Sequence, residues 1–192
     1  MLRISLLFIV LGVATALTVA VYVRTTGLSA LPAPGTVETR TARFVRGFAV
    51  PADVRVRSNP LPASPETIAA GLAHFADHCA SCHANDGSGN VTMGRNLYPK
   101  SPDMRGDLTQ RLTDGELFWI IENGVRFTGM PGWATGTREG EDETWQLVHF
   151  IRHLPRLTED EKTRMASLNP RSPEVIRQEL EEERFLQGGT TP

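Results

Sequence analysis

Cys79-Ala80-Ser81-Cys82-His83 is the stretch that decides the reading of this chain. Its two cysteines are the only ones in 192 residues, so a framework of several disulfides is impossible. Two thiols at this spacing reach the two vinyl groups of one haem, and the residue that follows presents an imidazole to the iron. A zinc half-site would need a second Cys or His pair at ligand spacing, and there is no further cysteine to build one. A thioredoxin-like redox pair opens a helix after a strand, whereas here the upstream pattern is a helix that ends at the cysteines. The motif therefore predicts one covalent haem c held by Cys79, Cys82 and His83, with His83 on the metal. The second ring nitrogen of His83 then needs a carbonyl or carboxylate, and the backbone at Pro99 or Pro102 is the expected source.

Upstream of the motif, Ser64 is a good N-cap and Pro65 suits the first helical position. Ile68, Leu72, Phe75 and Cys79 follow at helical spacing on one face. Downstream, residues 85–112 are rich in Gly, Asn, Pro and Asp, with turns at Asp86-Gly87 and Ser88-Gly89. So long a loop in a compact domain needs an organiser other than secondary structure, and a haem is one. Thr113-Asp114-Gly115-Glu116 is a capping box that opens a short helix through Leu117, Ile120 and Ile121, stopped by Asn123-Gly124. Residues 138–142 read as a charged loop, and Leu147, Phe150, Ile151 and Leu154 mark a last helix closed by Pro155. The fold class predicted is all-α, three main helices and loops around one haem.

The second axial ligand has few candidates: Met93, Met104, Met130, Met165, His74, His78, His149 and His153. Met130 lies in Thr128-Gly129-Met130-Pro131-Gly132, where Gly and Pro allow a rigid, closely approaching loop to hold a thioether. The other common role of methionine is to fill a gap in a core. His149 and His153 are an i, i+4 pair, but no carboxylate or cysteine is arranged with them into a metal site. Met130 is thus the predicted partner of His83 on the iron. Arg126 and Trp133 flank this loop and either line a docking rim or lie as exposed Arg and core Trp.

The order of helix, CASCH, loop, capped helix, GMPGW and last helix, over residues 64–157, resembles class I cytochromes c, particularly the membrane-tethered bacterial type. In that family a Gly and an aromatic residue four positions later on the first helix pack against an aromatic-bearing last helix. Gly71 and Phe75 fit, with Trp145 and Phe150 opposite. Two departures stand out: Ala84 occupies a position that is often Gly, and residues 135–143 lengthen the loop before the last helix. The resemblance implies a one-electron carrier rather than an enzyme, with haem attached outside the cytoplasmic membrane. Its partners would be redox proteins or a membrane oxidoreductase complex. A fixed haem subunit of a membrane dehydrogenase or terminal oxidase is the alternative. A haem peroxidase or gas sensor would require Met130 to leave the iron.

The flanks carry the rest. Residues 4–23 hold no charge between Arg3 and Arg24, long enough to cross a hydrocarbon core as helix. The small-x-small site at Thr18-Val19-Ala20 lies inside the apolar run and Leu28 spoils the one at Ser29-Ala30, so residues 1–23 are expected to stay as an anchor. The basic-residue rule does not orient it, because Arg3 faces Arg24, Arg40 and Arg43. Haem attachment implies a bacterial cytoplasmic membrane with residues 64–157 in the periplasm. Residues 24–63, with Pro32, Pro34, Pro51, Pro60 and Pro62, read as an extended tether, or over 44–56 as a strand or arm packed on the domain. Residues 158–192 read as a charged tail with a helix opened by Ser172-Pro173, whose apolar face of Val175, Ile176 and Leu180 is thin. Lys plus Arg number 20 against 22 Asp plus Glu, which excludes a nucleic-acid partner on charge grounds. Seven arginines fall within residues 1–65 against only Glu38 and Asp53, which leaves an acidic haem domain.

Overall fold

A computed structural model describes residues 2–171 and 173–186, and among them every regular element is helical. Helix α1, Leu2–Thr26, has an exposed, almost wholly apolar stretch, Ile4–Thr25, that is long and apolar enough to cross a membrane. Helix α2, Thr36–Ala49, and the single turn α3, Ala52–Arg55, occupy the stretch expected to be extended. Proline punctuates only the ends of these pieces, at Pro34 and Pro51, so the sixteen-residue run between them is free to coil.

Residues 50–61 then lie along the domain as an arm, helical at its start rather than a strand. Val50 is buried. Gly115 has the Val54 carbonyl so close that a Cβ would stand 1.9 Å from it. The Thr113 hydroxyl donates to the Arg55 carbonyl at 2.8 Å, and Asn59 Nδ2 donates to the Trp145 carbonyl at 2.8 Å. The Arg57 guanidinium lies 4.7 Å from the ring centre of Phe118, which itself stacks on Trp145 at 4.3 Å.

The frame of the domain is two crossing helices. Helix α4, Pro65–His74, is capped as expected by Ser64, whose side chain accepts from the Thr67 N–H. It runs through a π-helical turn, Phe75–Cys79, into α5, Ala80–His83. Single turns α6, Thr92–Asn96, and α7, Asp107–Gln110, interrupt the long loop, and α8, Asp114–Asn123, follows with its capping box intact. Helix α9 spans Arg138–His153. Residues 138–142, expected as loop, are its first turn: the Thr137 side chain accepts from the Gly140 N–H, and Glu139 and Glu141 suit the positive end of the helix.

Helices α4 and α9 touch at Gly71, where a Cβ would sit 2.3 Å from the Gln146 carbonyl oxygen and 2.9 Å from Phe150 Cβ. Beside this contact Phe75 and Phe150 meet at 5.1 Å between ring centres. Each is fully buried and contributes roughly 1.5–3 kcal/mol. The expected pairing thus holds for Phe150, while Trp145 stacks on Phe118 of α8 instead. The long loop is also held by protein: Gln110 Nε2 donates to the carbonyls of Met104 and Ile151, and Arg152 reaches Asp114 and the Gln110 carbonyl.

The chain beyond Leu157 is more than a charged tail. Helix α10, Glu159–Leu168, opens on a second capping box, Thr158 with Glu161, and buries Met165 completely. Asn169 then exchanges hydrogen bonds with Asn85 and donates to the Ala76 carbonyl. Helix α11, Pro173–Leu186, is present with Ile176 and Leu180 exposed, whereas the expected cap Ser172 lies outside the described residues.

Candidate functional site

The two cysteines and His83 sit on a helix that changes register just before them. In the π turn the Ala80 N–H bonds back to the Phe75 carbonyl, which inserts an extra residue ahead of α5. Phe75, Ala76 and Ala80 are buried as a result, while Cys79, Cys82 and His83 are half-buried at the domain surface. The helix closes at Ala84, with φ 60 and ψ 157, and the chain folds back: Gly87 N–H bonds to the Ala84 carbonyl and Gly89 N–H to that of His83. Gly94 of α6 presses on this bend, and a Cβ there would stand 2.2 Å from the Cys82 carbonyl oxygen. Sequence reasoning did not single out Gly94, because its necessity comes from a backbone contact across the loop.

His83 Nδ1 is buried without a hydrogen-bond partner, so the carbonyl expected from Pro99 or Pro102 does not reach it. Burial lowers the affinity of this imidazole for a proton and so favours its neutral form. Burial, helped by the neighbouring Cys82, pushes the Cys79 thiol up to about 12. A thiol so reluctant to ionise is a poor redox nucleophile and a poor thiolate ligand. Among the described residues no three His, Cys, Asp or Glu side chains converge to hold a bare ion. A buried imidazole with an orphaned ring nitrogen, beside two half-buried thiols three residues apart, fits a covalently attached haem.

The Met130 loop is fastened to the end of α8. Val125 N–H bonds to the Met130 carbonyl, Met130 N–H to the Thr128 hydroxyl, and Trp133 N–H to the Ile121 carbonyl. Gly124, at φ 65, lets the Met130-Pro131-Gly132 backbone pass where any Cβ would come within 2.6 Å. Gly129 rests on Leu97 of the long loop, and the Trp133 ring meets His78 edge-on at 5.4 Å. The loop thereby lies against the cysteine-bearing segment.

The other candidate ligands have different surroundings. Met104 and Met165 belong to the core, Met93 is 56% exposed, and Met130 is half-buried. His149 Nε2 bonds to the Leu61 carbonyl and His153 Nε2 to Glu161, each at 2.9 Å, which removes the i, i+4 pair as a metal site. His74 and His78 pair with Glu143 and Asp77. Trp133 packs against the core, and Arg126 is exposed.

Residues 66–151, the part of the all-helical frame that carries the CxxCH helix and the Met130 loop, match the family model described as cytochrome C oxidase, cbb3-type, subunit III, which agrees with a class I c-type cytochrome domain. Over 98 residues the chain is 33% identical to the cbb3-type cytochrome c oxidase subunit FixP of Rhizobium meliloti (strain 1021). That alignment takes in 48% of this chain and 29% of the relative, so the chain spans less than a third of that protein's length.

Proposed function

We propose that this chain is a membrane-anchored, one-haem electron-transfer protein that serves a membrane oxidoreductase, with Cys79 and Cys82 as attachment points and His83 and Met130 as axial ligands. The observation that carries it is the donor set at the end of α5: two half-buried thiols and a neutral imidazole with an orphaned Nδ1. Haem c, when bound, supplies a one-electron iron couple. The residues do the rest. His83 and Met130 would hold the iron, and with both of them bound a substrate would have no place on the metal, so that the chain would act as a carrier rather than a catalyst. The buried Phe75, whose ring centre is 6.5 Å from that of His83, keeps water from the histidine side. Arg126 and the 93% exposed Phe127 project from the methionine loop, where a redox partner would dock.

Membership of a terminal oxidase complex draws support from the likeness to an oxidase subunit, and anchorage from α1. Haem attachment outside the cytoplasm would put residues 64–157 in the periplasm as the haem unit, with 1–23 as anchor. The test is acid–acetone extraction of the denatured chain. The polypeptide is expected to keep its colour and to carry the added mass of one haem; loss of haem on extraction defeats the reading.

A further inference from the structure

Helix α2 turns its apolar side outward. At helical spacing Val37, Phe44 and Phe48 share one face, and they are 80, 75 and 83% exposed. The half-buried positions of α2 are Thr39, Arg46 and Gly47, so the side toward the domain is the polar one. A surface helix of a water-soluble domain has the reverse arrangement. Something outside the domain must therefore cover this face.

Its position indicates what does. Nine residues separate the end of α1 from the start of α2, a link of at most about 30 Å even if fully extended. The Tyr98 hydroxyl donates to both carboxylate oxygens of Glu38 on α2, which raises its pKa to about 12, and Tyr22 near the end of α1 adds to the shift. The end of the span, the start of α2 and Tyr98 thus lie together. Arg40 and Arg43 are exposed on α2, and its one acid, Glu38, is engaged by Tyr98. Leu28 and Leu31, in the link between the two helices, extend the exposed apolar surface.

We propose that α2 is an interfacial helix, lying on the bilayer that α1 crosses with Val37, Phe44 and Phe48 among the upper acyl chains and Arg40 and Arg43 on anionic phosphates. Apolar residues over a basic flank are what a helix in the plane of the headgroups needs. The inference rests on the reading of α1 as an anchor.

The test uses the full chain in vesicles of phosphatidylcholine and phosphatidylglycerol carrying a phospholipid with a diazirine high on its acyl chain. Cross-links are mapped by mass spectrometry after illumination. Labels are expected both on residues 4–25 and on the apolar face of residues 36–49. The double substitution Phe44→Glu with Phe48→Glu is expected to lower labelling of α2 about tenfold or more, since two buried rings are exchanged for charges, and to leave labelling of α1 unchanged. Labels on α1 alone in the unaltered chain overturn the inference and leave the anchor standing; α2 then awaits a protein partner. Labels on neither helix overturn the anchor and the inference with it.

Discussion

Ala84 ends the helix that carries Cys79, Cys82 and His83 at φ 60 and ψ 157, a backbone region reserved almost wholly for glycine that costs other residues about 1–3 kcal/mol. Ala84→Gly is expected to stabilise the domain by about 1 kcal/mol, which raises the thermal midpoint by roughly 4–8 °C at this size. Thermal unfolding of the two holoproteins followed by circular dichroism measures it, and an unchanged midpoint refutes the strain. Met130→Ala is expected to lower the reduction potential and to admit carbon monoxide to the reduced protein, because a thioether is lost from the iron. The exposed Met93→Ala is the clean control; Met104, being in the core, is better tested as Met104→Leu. Cys79, Cys82, His83 and Met130 stand out in the sequence as candidates because each sits in a local motif. The family resemblance marks position 84 as one that is often Gly, but the demand on Gly94 is not legible there, since it depends on where the backbone travels after α5.

The crossing of α4 and α9 is the element on which the domain depends. Gly71→Ala would bring a methyl group against the Gln146 carbonyl and Phe150, and backbone on both sides has little room to give. A loss of about 1–3 kcal/mol or more is expected, read as a lower denaturant midpoint with little change in slope. Wild-type stability would mean that the helices separate freely. The first turn of α9 was read as loop because Arg138, Glu139, Glu141 and Asp142 offer no apolar period, although Thr137 was there to cap it. Helix α10 was missed for the same reason. Its Thr158-to-Glu161 capping box repeats the pattern that correctly marked α8, but one buried methionine in a charged stretch gives no stripe to see. For α2 the difference runs the other way: the prolines at its borders give the whole segment the composition of a tether, while the run between them carries none.

For the whole molecule, α1 is expected to keep the chain in the membrane pellet through an alkaline carbonate wash. Exchanging residues 1–26 for a cleaved export signal should release it, because an interfacial helix alone does not survive such treatment as a membrane span does. Release of the full-length chain would contradict the anchor. The arm over residues 50–61, bonded to Thr113, Trp145 and His149, has a consequence for how partners are found. Forty free residues would let the haem unit wander about 35 Å from its mooring, whereas the nine between α1 and α2 allow about 17 Å. Volume scales as the cube of reach, so the unit searches roughly a tenth of the space and meets a neighbour in the same membrane at a correspondingly higher effective concentration. A freely diffusing acceptor gains nothing from this, whereas a fixed one within a few nanometres is met on almost every excursion.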